Sequence, residues 1–357
     1  MPPLLAGSPI VVIVRPHVLD RLNPMVNARF DVLGIGNAIV DIIARAEDDF
    51  LVRHGMQKGA MALIDEARAR EIYDEMGPAT EMSGGSAANT TVGVASFGAS
   101  AAFIGKVRDD ELGRTFAHDL RSAGVSFLGG LAPRGASTGR SYVLVTPDGE
   151  RTMNTYLGAA QDLAPEDIDP DIVAASAITY LEGYLWDPKN AKDAFLKAAR
   201  IAHRNQRLVA LSLSDAFCVD RWRDEFLELM RDGTVDLTFA NEAELKSLYQ
   251  TADFDTALSA LREDAKLAVV TRSEQGCWIV ARESTRHVNA FPIERLVDAT
   301  GAGDLFAAGF LFGLARGVDL SNAGRLGALA AAEIIQHVGA RPQTSLGALA
   351  QQNALPA

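Results

Sequence analysis

Short apolar runs of strand length alternate with helical patterns along most of this chain, and this alternation constrains the fold more than any other feature. The apolar runs lie at residues 30–35, 101–104, 177–181, 208–213, 235–239 and 267–271. The helical patterns lie at residues 66–76, 89–97, 112–123, 188–203, 242–249, 304–315 and 322–338. Apolar strands that alternate with helices are typical of parallel sheets covered on both faces. The sequence therefore predicts an α/β fold, a doubly wound, mostly parallel sheet with helices on both faces.

Two segments depart from this alternation. Residues 60–64 are strand-like, and residues 141–146 are followed by the turn Pro147-Asp148-Gly149 and a second strand at 151–156, which predicts a β-hairpin. We expect these strands, from about residues 48–66 and 128–158, to form a small β-lid over the functional site.

The chain ends suggest boundaries for the α/β domain. Five prolines within residues 1–28 interrupt any regular element, so we expect a disordered leader there. The domain then extends over residues 29–345 and is followed by a C-terminal tail at 346–357.

Composition excludes several classes of protein. The net charge is −12 and Lys and Arg form no cluster, which disfavours nucleic-acid binding. The apolar run at residues 10–14 is too short to span a membrane. The only two cysteines, Cys218 and Cys277, form no disulfide framework, as expected for a cytoplasmic protein. The oligomeric state stays open between monomer and homodimer.

The most informative motif is Asp298-Ala299-Thr300-Gly301-Ala302-Gly303-Asp304, directly before an apolar helix. Its glycines let the backbone approach a ligand, and the helix N-terminus offers unpaired N–H groups to a phosphate. A carboxylate at Asp304 is then well placed to take a proton from a hydroxyl that attacks this phosphate. The alternative is a glycine-rich turn in which Asp304 caps the helix.

Two further motifs have side chains suited to a sugar. Gly84-Gly85-Ser86 precedes a helix that begins near Asn89, whose amide can hold a pair of hydroxyl groups. Asn37 and Asp41 follow the first strand, and a carboxylate there can accept hydrogen bonds from both hydroxyl groups of a vicinal diol. The alternatives are a helix cap for the first motif and a turn capped by Asp41 for the second. A dinucleotide fingerprint is excluded, since Ile39 occupies the place of its third small residue.

Two turns after later strands suit a nucleotide. Asn241 and Glu244 share one face of a helical first turn and could hold Mg²⁺ through its waters, although a capping box explains the same pair. Residues 271–276, from Thr271 to Gly276, either contact phosphates or simply join two strands. No Walker loop occurs, so the chain is not a P-loop kinase.

Together, and in this order, the motifs resemble the ribokinase (PfkB) superfamily from about Asp31 to Ser345. The most specific matches are the Gly84 to Asn89 loop, with its continuation at residues 105–113, and the Asp298 to Asp304 run. Ala299 is a departure, because many members have Thr there.

Within this superfamily the chain is most similar to adenosine kinases. Residues 36–42 resemble their first-strand motif, and residues 211–217 resemble their Asn-Leu-Ser-Ala-Pro-Phe segment, with departures at Ser212, Asp215 and Ala216. Tyr184 stands where they have a Phe that stacks on adenine.

The resemblance implies transfer of the γ-phosphoryl group of ATP to the 5′-hydroxyl of adenosine. Asp304 is the expected base, beside an anion hole formed by Gly301, Ala302 and Gly303. The expected acceptor-binding residues are Asn37, Asp41, Leu63, Gly84, Gly85, Ser86, Asn89, Met153, Thr155 and Tyr184. The expected ATP- and phosphate-binding residues are Arg151, Asn241, Thr271, Gly276 and Thr300.

The resemblance also implies Mg²⁺, supported indirectly by Asn241 and Glu244, and allows K⁺ near the Asp298 loop. Three alternatives stay open: a sugar kinase of the same family, an inosine or guanosine kinase, and a non-catalytic nucleotide-binding protein. The expected partner is a small nucleoside or sugar in the first two cases.

Overall fold

The structure of the protein is a computed structural model, and it describes residues 28–356. The expected leader therefore lies outside the described residues, except for Ala28. The strands, numbered along the chain, are β1 (Phe30–Ile35), β2 (Ile39–Arg45), β3 (Met61–Leu63), β4 (Ala79–Gly84), β5 (Ala101–Ile104), β6 (Val107–Arg108), β7 (Val125–Phe127), β8 (Leu131–Ala132), β9 (Gly139–Val145), β10 (Arg151–Tyr156), β11 (Ser176–Glu182), β12 (Leu208–Ser212), β13 (Leu237–Asn241), β14 (Leu267–Thr271), β15 (Cys277–Ala281) and β16 (Ser284–Val288). The helices are α1 (Asp48–Arg53), α2 (Glu66–Glu75), α3 (Ser86–Ser96), α4 (Glu111–Ser122), α5 (Pro170–Ala174), α6 (Lys189–Arg204), α7 (Ala216–Arg231), α8 (Glu242–Leu248), α9 (Phe254–Asp264), α10 (Ala302–Ala315), α11 (Leu320–Ile334) and α12 (Leu346–Gln352).

A nine-stranded sheet in the order β16-β15-β14-β13-β12-β11-β1-β5-β7 confirms the predicted fold class. Its strands pair in parallel from β7 to β14, and only β15 and β16 pair antiparallel. The chain passes from β1 to β5 and β7 on one side, and then to β11 and the later strands on the other. The gap between the carboxyl ends of β1 and β11 is therefore a topological switch point, where ligands of such sheets bind.

A five-stranded sheet in the order β3-β10-β9-β2-β4, here called the lid sheet, stands beside the large one. It contains the predicted hairpin, β9 and β10, and the strand at β3. It also contains β2 and β4, which were not predicted as strands. Strand β4 has no apolar pattern to reveal it, because its sequence is polar and largely exposed and it pairs only with β2.

The core lies on both faces of the large sheet. Helix α10 is buried from Leu305 to Leu314 and packs against α3 and α11 on one face, as an all-apolar helix must. Helices α6 and α7 contribute to the core of the other face. Among residues 28–356, no helix combines the length and apolar character needed to cross a membrane.

Several other elements were not proposed from the sequence. They include α1, α7, α9 and β16, whereas β15 follows Gly276 as the alternative of a turn that joins two strands predicts. The segment treated as a C-terminal tail contains α12, whose Leu346 and Ala350 are buried against the core. Helix α11 also ends at Ile334, four residues before the end of the predicted pattern at Val338.

Candidate active site

The predicted acceptor and nucleotide residues line two cavities, and the second cavity includes the amino-terminal turn of α10 in its lining. The first, of about 510 Å³, is lined by these predicted acceptor-binding residues: Asn37, Asp41, Leu63, Gly85, Ser86, Met153, Thr155 and Tyr184. The second, of about 330 Å³, is lined by these predicted phosphate and nucleotide residues: Asn241, Thr271, Gly276, Ala302 and Gly303. The structure thus separates the two predicted groups into two neighbouring spaces. The other predicted residues, Gly84, Asn89, Arg151, Glu244, Thr300, Gly301 and Asp304, are not among the lining residues.

Asp304 lies in the first turn of α10, with both carboxylate oxygens held from α3. Ser86 Oγ donates to Oδ1 at 2.6 Å, and Asn89 Nδ2 donates to Oδ2 at 2.9 Å. Burial raises the pKa of Asp304, while these two hydrogen bonds and the charge of Arg341 act in the opposite direction. Asp304 is therefore a carboxyl group of fixed orientation beside Ser86, which lines the first cavity.

Gly301 begins α10 in the left-handed region, with φ of +79°. A Cβ there would meet Ala340 at 2.9 Å, so glycine is required by both conformation and space. The N–H of Ala302, expected to face the phosphate, donates instead to the carbonyl of Ala299 at 3.2 Å. This bond closes the turn, and Gly303 and Asp304 retain first-turn N–H groups that have no partner within the helix.

Arg151 brings the lid sheet into contact with the loop before α10. Its Nη2 pairs with Asp298 Oδ2 at 2.9 Å, and its Nη1 donates to Thr300 Oγ1 at 3.1 Å. Asp298 is buried and also accepts the N–H groups of Thr300 at 3.0 Å and Gly339 at 2.9 Å. The predicted phosphate residues Arg151 and Thr300 thus lie together, beside the predicted anion hole.

Asp41 lies on β2 in a row of residues that runs across the lid sheet. It is in register with Ser141 of β9, which faces Thr155 of β10, which in turn faces Leu63 of β3. Register partners project from the same face of a sheet, and all four residues line the first cavity. Burial raises the pKa of Asp41 to about 6, against the lowering effect of two nearby arginines.

Glu182 is an acidic residue at the switch point that the sequence analysis did not assign. It ends β11 and accepts from Asn37 Nδ2 at 2.7 Å and from the N–H of Ala87 at 2.9 Å. Burial raises its pKa to about 7. These bonds fix Asn37, whose Oδ1 has no protein partner although it is buried. A charged residue at the carboxyl end of an otherwise apolar strand is the signal that could have identified it.

Asn241 and Glu244 form the capping box that was the alternative to a metal site. The Asn241 side chain accepts the N–H of Glu244 at 2.9 Å, and Glu244 accepts the N–H of Asn241 at 3.0 Å and its Nδ2 at 2.5 Å. Burial raises the pKa of Glu244 to about 7. Residues 28–356 contain no group of three or more His, Cys, Asp or Glu side chains suited to a metal ion. This arrangement fits an ion that arrives on phosphates and keeps its waters, and it does not fit a site made of protein ligands alone.

Other residues of the site were also missed. The first cavity has an outer wall formed by Asp187, Asp215, Phe217 and Arg221. Arg221 forms a double hydrogen bond to Asp187 and lies over the ring of Phe217, with its Cζ 4.5 Å from the ring centroid. Asp215 and Phe217 fall within the motif at residues 211–217. Arg221 and Asp187 belong to no motif, because their pairing joins two separate elements.

Comparison with known proteins is consistent with this geometry. The family model described as "pfkB family carbohydrate kinase" matches residues 62–345, which is most of the chain. The chain belongs to the pfkB family of carbohydrate kinases. As a pfkB-family kinase it transfers a phosphoryl group to an alcohol acceptor, as predicted.

Relatives of this pfkB kinase include both nucleoside and sugar kinases. The crystal structure of adenosine kinase from Sinorhizobium meliloti is 56% identical, with a TM-score of 0.87, covering 91% of this chain and 100% of the other. A probable sugar kinase from Rhizobium etli is 53% identical, with a TM-score of 0.88, covering 92% and 100%. The adenosine kinase of Saccharomyces cerevisiae is 28% identical over 85% of this chain and 94% of its own length. Plant fructokinases also match.

Proposed function

We propose that this pfkB kinase is an adenosine kinase, which transfers the γ-phosphoryl group of ATP to the 5′-hydroxyl of adenosine and produces AMP. The observation that carries the proposal is the row across the lid sheet, with Asp41 at one end and Leu63 at the other. Three strand spacings separate these residues by about 14 Å. A ribose bound at Asp41 would leave the space toward Leu63 for a base.

The lining of the first cavity supports a flat apolar group in that space. Met61, Leu63 and Met153 line it from the lid sheet. Tyr184, which follows β11, and Phe217, in α7, line it from the side of the large sheet. Leu63 is 52% exposed and Phe217 67% exposed, so both offer apolar surface that a ligand in the cavity could cover. A monosaccharide has no apolar face of this extent to offer.

The chemistry follows from the partners of Asp304. The ribose diol is bound by Asp41, with Asn37, Gly85 and Asn89 nearby, and the 5′-hydroxyl points to Asp304. Asp304 takes the hydroxyl proton while the oxygen forms its bond to the γ-phosphorus. The bond from this phosphorus to the bridging oxygen breaks, and ADP leaves with the electron pair. The N–H groups of Gly303 and Asp304 stabilise the charge on the phosphoryl oxygens.

The nucleotide belongs in the second cavity in this proposal. Asn241, Thr271 and Gly276 line it, and Arg151 and Thr300 lie toward the transferred phosphoryl group. Mg²⁺ bound to the phosphates would neutralise charge that develops on them. Asn241 and Glu244 would act on its water shell rather than on the ion itself.

The match to adenosine kinases supports a nucleoside acceptor, and the match to a probable sugar kinase over 100% of its chain supports a sugar acceptor. Adenosine kinases match over nearly their whole length, whereas the maize fructokinase match covers 64% of this chain and 72% of its own. A probable sugar kinase is nevertheless among the similar structures. The sugar kinase is therefore the second candidate.

A panel of acceptors with ATP tests the proposal. ADP release would be measured with adenosine, inosine, guanosine, ribose and fructose, using Asp304→Asn as the inactive control. We expect kcat/KM for adenosine to exceed that for each sugar by at least about a hundredfold, since only the nucleoside covers the apolar wall. A sugar that is phosphorylated as well as adenosine would contradict the assignment.

In this role the enzyme would return adenosine to AMP, a reaction of purine salvage. We place it in the cytoplasm because Cys218 and Cys277 are both unpaired and buried.

A further inference from the structure

Arg341 is a partly buried cation that contacts both sides of the site and has no role in the chemistry described above. Its Nε and Nη2 donate to the carbonyl of Ser83 at 3.2 Å and 2.9 Å, and its Nη1 donates to the carbonyl of Ala88 at 3.0 Å. Its Nη2 also donates to Ser83 Oγ at 3.0 Å. Ser83 belongs to β4 of the lid sheet and Ala88 to α3. One side chain thus ties the lid sheet to the helix that holds Asp304.

The two carbonyls flank Gly84 and Gly85, where the lid sheet passes into α3. Gly85 has φ of +94°, so this link has a backbone conformation that only glycine adopts readily. On its other side, Ser83 donates its N–H to Asp119 of α4 at 3.0 Å. The planar fork of an arginine can bridge two carbonyls across such a link, whereas a lysine offers a single point of contact.

The charge of Arg341 acts on both functional carboxylates. It lowers the pKa of Asp41 and of Asp304, against the raising effect of burial. Burial lowers the pKa of Arg341 itself to about 10, so the side chain is charged at neutral pH. The other titratable groups that interact with this set are Asp119, Arg151, Tyr180, Glu182 and Tyr184.

We propose that Arg341 is a positioning residue for phosphoryl transfer, which bridges the Gly84–Gly85 link between the lid sheet and α3 and brings a positive charge to the side of the site that holds Asp41 and Asp304. The inference rests on the functions proposed above for these two carboxylates. Its two parts are separable, because the bridge depends on the fork of the guanidinium and the electrostatic effect depends only on its charge.

The test compares Arg341→Met and Arg341→Lys with the wild-type enzyme. Steady-state kinetics with adenosine and ATP would be measured across the acid pH range, together with thermal melting. Arg316→Met is the matched control, since Arg316 is an exposed arginine that pairs with Asp31 at 3.3 Å on the surface. We expect the control to match the wild type.

For Arg341→Met we expect the acid limb of kcat/KM to move to higher pH by about one unit, because both carboxylates lose a nearby positive charge. We expect the KM for adenosine to rise as well. For Arg341→Lys we expect an acid limb like that of the wild type, with a raised KM. A purely structural role would lower stability and leave the acid limb unchanged.

An unshifted acid limb in folded Arg341→Met would overturn the electrostatic part. If that variant does not fold, Arg341→Lys decides: a raised KM supports the bridge, and an unchanged KM overturns it. Failure of the proposed function is a different result, namely a wild-type enzyme that does not phosphorylate adenosine. The same variants would then be measured with the acceptor that the panel identifies.

Discussion

Arg151 and Asp298 form an ion pair, with 2.9 Å between Nη2 and Oδ2, that joins the lid sheet to the loop before α10. Their side chains are only 12% and 5% exposed, so the pair is largely shielded from water. An arriving phosphate would offer Arg151 a second anionic partner at the same place. In the proposed function, this contact would link the position of the lid sheet to the presence of nucleotide.

Arg151→Gln should weaken both stability and activity. Loss of the guanidinium leaves Asp298 as a buried carboxylate with only its backbone donors, which destabilises a protein by about 3 kcal/mol. Chemical denaturation would measure this loss, and kinetics should show a raised KM for ATP. Arg151→Lys retains the charge and should be less affected. Equal stability of wild type and Arg151→Gln would show that the pair contributes little.

Asp304→Asn should lower kcat by at least about a hundredfold, because the amide cannot accept the hydroxyl proton. Ser86 and Asn89 can still hold the side chain, so calorimetry should show little change in ATP binding. Asp319→Asn is a suitable control, since Asp319 caps α11 at the surface. Near-normal turnover of Asp304→Asn would remove this residue from the role of base.

The pH dependence of kcat/KM should have an acid limb near pH 6. Burial raises the pKa of Asp41 to about 6, and the pKa of Asp304 is raised in the same direction. In the proposed mechanism both groups act as carboxylates, so protonation should remove activity as the pH falls through these values. We expect a decrease of about tenfold per pH unit for one controlling group. An acid limb of kcat/KM near the ordinary pKa of aspartate would show that neither group controls the reaction.

Tyr184→Ala should raise the KM for adenosine by about tenfold, since the base loses one aromatic wall. Tyr184→Phe retains the ring and loses only the hydrogen bond from Tyr184 Oη to the carbonyl of Ser214, so its KM should change little. A sugar acceptor should respond to neither substitution. If Tyr184→Ala changed the phosphorylation of adenosine and of ribose equally, the adenine would not bind against Tyr184.

Gly85→Ala should disrupt the site through the backbone. Gly85 has φ of +94°, and a Cβ there would overlap the carbonyl oxygen of Asn37. We expect a stability loss of about 1–3 kcal/mol and strongly reduced activity. Gly77→Ala is the matched control, because a Cβ at Gly77 meets no atom within 4 Å. Similar melting temperatures and activities for the two variants would contradict this interpretation.

The sequence suggested some residues of the site and missed others. It proposed Asp41 and Asp304 from short motifs whose residue types and spacing indicate chemistry, and Tyr184 from the resemblance to adenosine kinases. It did not identify Glu182, Arg221 or Arg341, whose partners lie on other elements of the chain. Arg341 contacts Ser83 and Ala88, which lie about 250 residues earlier in the sequence, and no local pattern indicates such a contact.

The sequence by itself determined the α/β class, the predicted hairpin and the glycine turn before α10. These depend on hydrophobic periodicity and on backbone conformations that glycine permits, and both are local properties. The tertiary structure alone decided that β2 and β4 complete the lid sheet, that the capping box rather than a metal site engages Glu244, and that Arg341 bridges Ser83 and Ala88. Those outcomes depend on which distant segments exclude water from a charged group or supply its hydrogen bonds, and this is settled only when the chain has packed.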